Sequence, residues 1–85
     1  MAFFYYFTPR SLRLFKKLPK PIQQRVIAKL DYYCQSNPLS YSSRLENNQF
    51  GHYRLRIGNY RVIYDLENQQ ALIIHKVGHR RDIYR

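Results

Sequence analysis

Only five of the 85 residues are acidic, only one is a cysteine, and no apolar run approaches the roughly 18 residues needed to cross a bilayer. A lone Cys34 excludes an internal disulfide framework and a cysteine zinc cluster. It suits a reducing compartment, where its expected role is to fill space. The start MAFFYYFTPR lacks the basic-then-apolar order of a signal peptide, so a cytoplasmic protein with no membrane partner is expected. There is no internal repeat and no low-complexity segment, and one domain over residues 1–85 is all that fits. Chains this short bury only about 60% of their unfolded surface, which rules out large multi-layer enzyme folds.

What the chain does have is positive charge. Fifteen Lys and Arg against the five acids give +10 at pH 7. Arg outnumbers Lys ten to five, and the planar guanidinium suits phosphate and stacked bases better than a point charge does. Residues 47–64 carry three Arg and no acid, and residues 69–81 are again free of acid, so the surplus is patterned rather than spread for solubility. The leading partner is a polyanion.

The pattern along the chain predicts an α+β domain. Phe3 to Phe7 is an aromatic run of strand type. Thr8-Pro9 supplies a helix N-cap and a first-turn proline, and Leu12, Phe15 and Leu18 recur behind it on one face. Pro19-Lys20-Pro21 breaks that helix and opens a second, with Ile22, Val26, Leu30 and Tyr33 on its apolar stripe to about Cys34. Ser36-Asn37-Pro38 stops it, and the polar stretch beyond is a loop with a short extended piece around Ser43 to Leu45. His52 to Ile57 and Tyr60 to Leu66 alternate around the Gly58-Asn59 turn, and Ala71 to Val77 follows the Glu67 to Gln70 turn. The order is β-α-α-β-β-β, a helical hairpin packed on one face of a small, mostly antiparallel sheet.

Turn lengths then set the pairing. A two-residue turn at Gly58-Asn59 places Ile57 opposite Tyr60, Arg56 opposite Arg61, Leu55 opposite Val62 and Tyr53 opposite Tyr64. A four-residue turn at Glu67 to Gln70 places Arg61 opposite Lys76, Val62 opposite His75 and Tyr64 opposite Ile73. One face carries Tyr53, Leu55, Ile57, Tyr60, Val62, Tyr64, Ile73 and Val77 as core. The other carries Arg54, Arg56, Arg61 and Lys76, the last three in one row, with His52 and Asp65 paired at its far end. Like charges directly opposite each other destabilise a sheet by under about 1 kcal/mol per pair, so a row of cations without acids points to an anion site.

The run Tyr53-Arg54-Leu55-Arg56-Ile57-Gly58-Asn59-Tyr60-Arg61-Val62-Ile63-Tyr64, with Val77-Gly78-His79-Arg80-Arg81-Asp82-Ile83-Tyr84-Arg85 and the segment Pro9 to Leu30, resembles the RelE family of bacterial toxin–antitoxin modules. The resemblance implies a ribosome-dependent endoribonuclease that cleaves messenger RNA in the A site without cofactor or metal, held inactive by a RelB-like antitoxin in a hetero-oligomer. It places the catalytic positions on Arg61, Arg80, Tyr84, Arg56 and Arg54. Arg61 and Arg80 would hold the pentavalent phosphate, Tyr84 would stack or move a proton, and Arg54 and Arg56 would grip neighbouring phosphates. Lys76, His79, Arg81, Lys16 and Lys17 would add contacts to RNA. Well-known members carry Lys where this chain has Arg54 and Arg56, and Arg does not give up its proton, which leaves His52 or His79 as alternative bases. The competing reading is a ParE-like toxin that inhibits DNA gyrase by protein contact, for which the phosphate-gripping row is not needed.

Overall fold

A computed structural model describes residues 2–46 and 49–84. The N-terminal strand β1 (Phe4–Phe7) leads into α1 (Pro9–Lys16) and α2 (Lys20–Gln35); a 3₁₀ turn (Pro38–Tyr41) then precedes β2 (Ser42–Arg44), β3 (Tyr53–Ile57), β4 (Tyr60–Glu67) and β5 (Ala71–His79). The expected extended piece is therefore a true strand, and it forms the edge of a five-stranded sheet in the order β1-β5-β4-β3-β2. Only β1 runs parallel to its neighbour.

Thr8 caps α1 by accepting the Ser11 backbone N–H at 3.1 Å, and Pro9 sits in the first turn, where its missing donor does no harm. The inward residues of α1 are Ser11, Leu14 and Phe15, followed by Leu18 just past its end, whereas Leu12 faces solvent. Ser11 can be buried because its hydroxyl donates to the Ile74 carbonyl at 2.6 Å. The Gln23 side-chain amide donates to the Leu18 carbonyl at 2.8 Å and the Lys16 carbonyl at 3.2 Å, which closes the end of α1 and fixes the helical hairpin. From α2, Val26, Leu30 and Cys34 enter the core at four-residue spacing, against Leu55, Ile57, Val62, Tyr64, Leu72, Ile74 and Val77 of the sheet. Cys34 fills space as expected, and burial pushes its thiol pKa up. Among the described residues, no helix is long and apolar enough to cross a membrane.

The β3–β4 register is the expected one: Tyr53 opposite Tyr64, Leu55 opposite Val62, Arg56 opposite Arg61 and Ile57 opposite Tyr60. The β4–β5 register is not. Glu67 pairs with Ala71 around left-handed Asn68 and Gln69, one residue tighter than the four-residue turn. A bulge between Ile63 and Tyr64 then leaves His75 without a partner on β4. The two shifts together put Val77 opposite Val62, Gly78 opposite Arg61 and Lys76 opposite Ile63. Below the bulge the faces also exchange, so Leu72 and Ile74 join the core in place of Ile73.

Candidate functional site

The sheet face away from the helices is set by the alternation of β3 and β4. At its upper end Arg56 and Arg61 stand directly opposite each other, with Arg54 one step along β3. Gly58, at φ 59°, forms the turn between them, and that turn organises the cluster. Its Gly58 and Tyr60 carbonyls accept from the Arg61 guanidinium at 3.0 and 2.9 Å, while the Asn59 carbonyl accepts the Arg80 backbone N–H at 2.8 Å. Residues from two distant stretches are thereby tied to one turn.

Beyond Arg80 the chain bends over the same face. The N–H groups of Asp82 and Ile83 both donate to the His79 carbonyl, at 2.8 and 3.0 Å. Ile83 is buried against Gly78, where a Cβ would stand 3.7 Å from its Cδ1. That anchor sets Tyr84, whose hydroxyl accepts from the Arg54 guanidinium at 2.9 Å. The pKa of Arg61 is lowered by burial first and then by Arg56, Arg54 and Arg80, with Tyr84 acting in the opposite sense. Four guanidinium groups thus share one neighbourhood. Among the described residues no Asp or Glu forms an ion pair with any of them, and the buried Nε of Arg54 has no hydrogen-bond partner. Arg cannot release a proton in a protein, so among the described residues the side chain hydrogen-bonded to the cluster that can transfer one is the Tyr84 phenol.

The corrected register removes Lys76 from the arginine row. It lies on the same face one step lower, 8% exposed, with its ammonium 3.8 Å from the centre of the Phe50 ring. Burial and the nearby Arg10 lower its pKa. The approach of Phe50 depends on Gly51, where a Cβ would meet Ile63 Cγ2 at 2.8 Å and the Tyr64 carbonyl oxygen at 3.2 Å. This segment crosses the face over Ile63, a burial that the sequence pattern does not signal.

Below that crossing the face is neutralised from within. Asp65 accepts from the His52 ring at 2.5 Å, from the His52 backbone N–H at 2.9 Å and from the His75 ring at 3.0 Å. The expected His52–Asp65 pair is present, and the bulge turns His75 from its expected core-facing place to the same carboxylate. Burial raises the Asp65 pKa, but the hydrogen bonds and charge from His52 and His75 outweigh it and the net shift is downward. Neither alternative base lies within the arginine cluster. His52 is committed to Asp65, and the His79 ring packs edge-on to Tyr60 and accepts from the Arg81 N–H groups at 3.1 and 3.4 Å. Lys16 and Lys17 are exposed at the end of α1, and Lys17 lines the same cleft as His79 and Arg81.

The same fold occurs in toxins of toxin–antitoxin pairs. The toxin–antitoxin complex RelBE2 of Mycobacterium tuberculosis contains a chain with TM-score 0.82 and 26% identity, covering 94% of this chain and 100% of that one. The RelE–RelB complex of the archaeon Pyrococcus horikoshii OT3 gives TM-score 0.72 at 24% identity over 94% and 97% of the two chains. The isolated E. coli RelE toxin gives 0.68 at 22% over 92% and 84%. A comparison with curated proteins returned no match. The family described as the ParE toxin of the type II toxin–antitoxin system parDE matches residues 5–84. This chain belongs to that family, within the RelE/ParE superfamily, and is a type II toxin of RelE-like fold.

Proposed function

We propose that this toxin is a ribosome-dependent endoribonuclease that cleaves messenger RNA in the A site. The observation that carries this reading is the convergence of Arg54, Arg56, Arg61, Arg80 and Tyr84 over one open end of the sheet, where none of the four arginines is ion-paired to an Asp or Glu of the described residues. Like charges directly opposite each other cost the sheet stability, and a bound polyanion would relieve that repulsion. In the reaction the 2′-hydroxyl of one nucleotide attacks the adjacent phosphate, passing its proton to solvent. The P–O bond to the 5′-oxygen breaks, and that oxygen takes a proton as it leaves. Arg61 and Arg80 stabilise the charge that builds on the pentavalent phosphate, and Arg54 and Arg56 hold the flanking phosphates. Tyr84, held by Arg54, donates the leaving-group proton.

A RelB-like antitoxin fits the same surface, since an acidic, partly disordered segment would fold onto the arginines. The chains of similar fold from M. tuberculosis and P. horikoshii were each solved with such a partner. Primer extension on translating ribosomes tests the nuclease: A-site cuts that disappear in Arg61→Ala or Arg80→Ala support it. Intact messages together with inhibited DNA supercoiling would assign the protein to gyrase instead.

A further inference from the structure

Between α1 and the C-terminal bend lies a cleft of about 420 Å³. We infer that it receives the base and ribose of a nucleotide next to the scissile phosphate, so that α1 takes part in choosing the cut site. This inference rests on the nuclease reading above. The apolar part of the walls is Leu14 from α1, Leu18 from the turn after it and Ile83 from the bend, and Tyr60 adds an aromatic side chain. The lining also carries three cations, Lys17, Lys76 and Arg81, beside the His79 ring and a single carboxylate, Asp82. A base whose flat faces stack on apolar and aromatic side chains, attached to a negative chain, matches both parts, and a volume of this size lies within the usual range for small-ligand sites.

The cleft also shares a wall with the arginine cluster. Gly78 lines it and is the ladder partner of Arg61, about 4.8 Å away by strand spacing, and Arg81 directly follows Arg80. A phosphate held by Arg61 and Arg80 therefore brings a neighbouring nucleotide to the mouth of the cleft. The opening exists because β1 pairs with β5 only as far as Ile74, which leaves the outer edge of β5 beyond that point facing α1.

The test uses the whole protein and a 2′-O-methylated RNA trinucleotide, which binds but cannot be cut. In an amide NMR titration the signals of residues 14–18 and 79–83 are expected to shift together with those of 54–61, and Lys17→Glu to weaken binding about tenfold. Shifts confined to 54–61 and 80–84, with α1 silent and Lys17→Glu binding as tightly as wild type, would overturn the inference. So would an acidic peptide, but not the trinucleotide, shifting residues 14–18, because the cleft would then be a protein site. Absence of A-site cutting by the wild type defeats the nuclease reading alone, since the titration is read without catalysis.

Discussion

The two ends of one sheet face handle charge in opposite ways. At the lower end, Asp65 accepts from two imidazoles and one backbone N–H, so its polar groups are matched within the protein. At the upper end, on the same two strands, Arg56 stands against Arg61, with Arg54 and Arg80 within electrostatic reach. The loop through Phe50 and Gly51 separates them. The acid-containing cluster ties the loop to the sheet, whereas the other gathers like charges with no Asp or Glu of the described residues ion-paired to them. On the proposed nuclease reading, stability and function fall to different ends of one surface.

Substitutions that treat the two ends alike should give different results. The largest effect is expected at the upper end, where Arg61→Ala and Arg80→Ala each lower cleavage on translating ribosomes by about 10²–10³-fold while far-UV circular dichroism is retained. The largest stability effect is expected at the divide. Gly51→Ala places a Cβ 2.8 Å from Ile63 Cγ2 and 3.2 Å from a fixed carbonyl oxygen, and urea unfolding should show a loss of about 1–3 kcal/mol.

At the lower end Asp65→Asn should cost roughly 1 kcal/mol near neutral pH. Because the native Asp65 pKa is depressed below the ordinary 3.8, the unfolded chain binds the proton more readily. Its contribution is thus present above that value and lost as pH falls through the native pKa, so thermal melts of the Asn variant should lack this acid-side decline. The smallest effect has the opposite sign: Arg56→Gln removes one member of a like-charged pair and should raise stability by under about 1 kcal/mol while weakening RNA binding.

The upper end is more legible in the sequence than the lower. Gly58-Asn59 admits one turn length, so the opposition of Arg56 and Arg61 follows from counting residues. Glu67 to Gln70 contains no glycine, and neither the left-handed Asn68-Gln69 turn nor the bulge at His75 leaves a mark in hydrophobic alternation. Counting alone therefore sets Lys76 beside Arg61 and points His75 and Ile73 inward, where the fold does not put them. The burial of Ile63 and Ile83 comes from segments folding back over the sheet, a tertiary event that local periodicity does not encode. The α1 stripe differs from the periodic one for a related reason: Ser11, a polar residue, occupies a buried position because a strand carbonyl is there to satisfy it.

The most direct measurement is the salt dependence of binding to a non-cleavable 2′-O-methylated RNA. If the upper end is an anion site, removing Arg61 or Arg80 lowers the slope of log K against log salt by about 0.7 for each phosphate no longer neutralised on single-stranded RNA, while His52→Ala leaves it unchanged. A slope that is the same in wild type, Arg61→Ala and Arg80→Ala would contradict the account, because these guanidinium groups would then not be meeting phosphate.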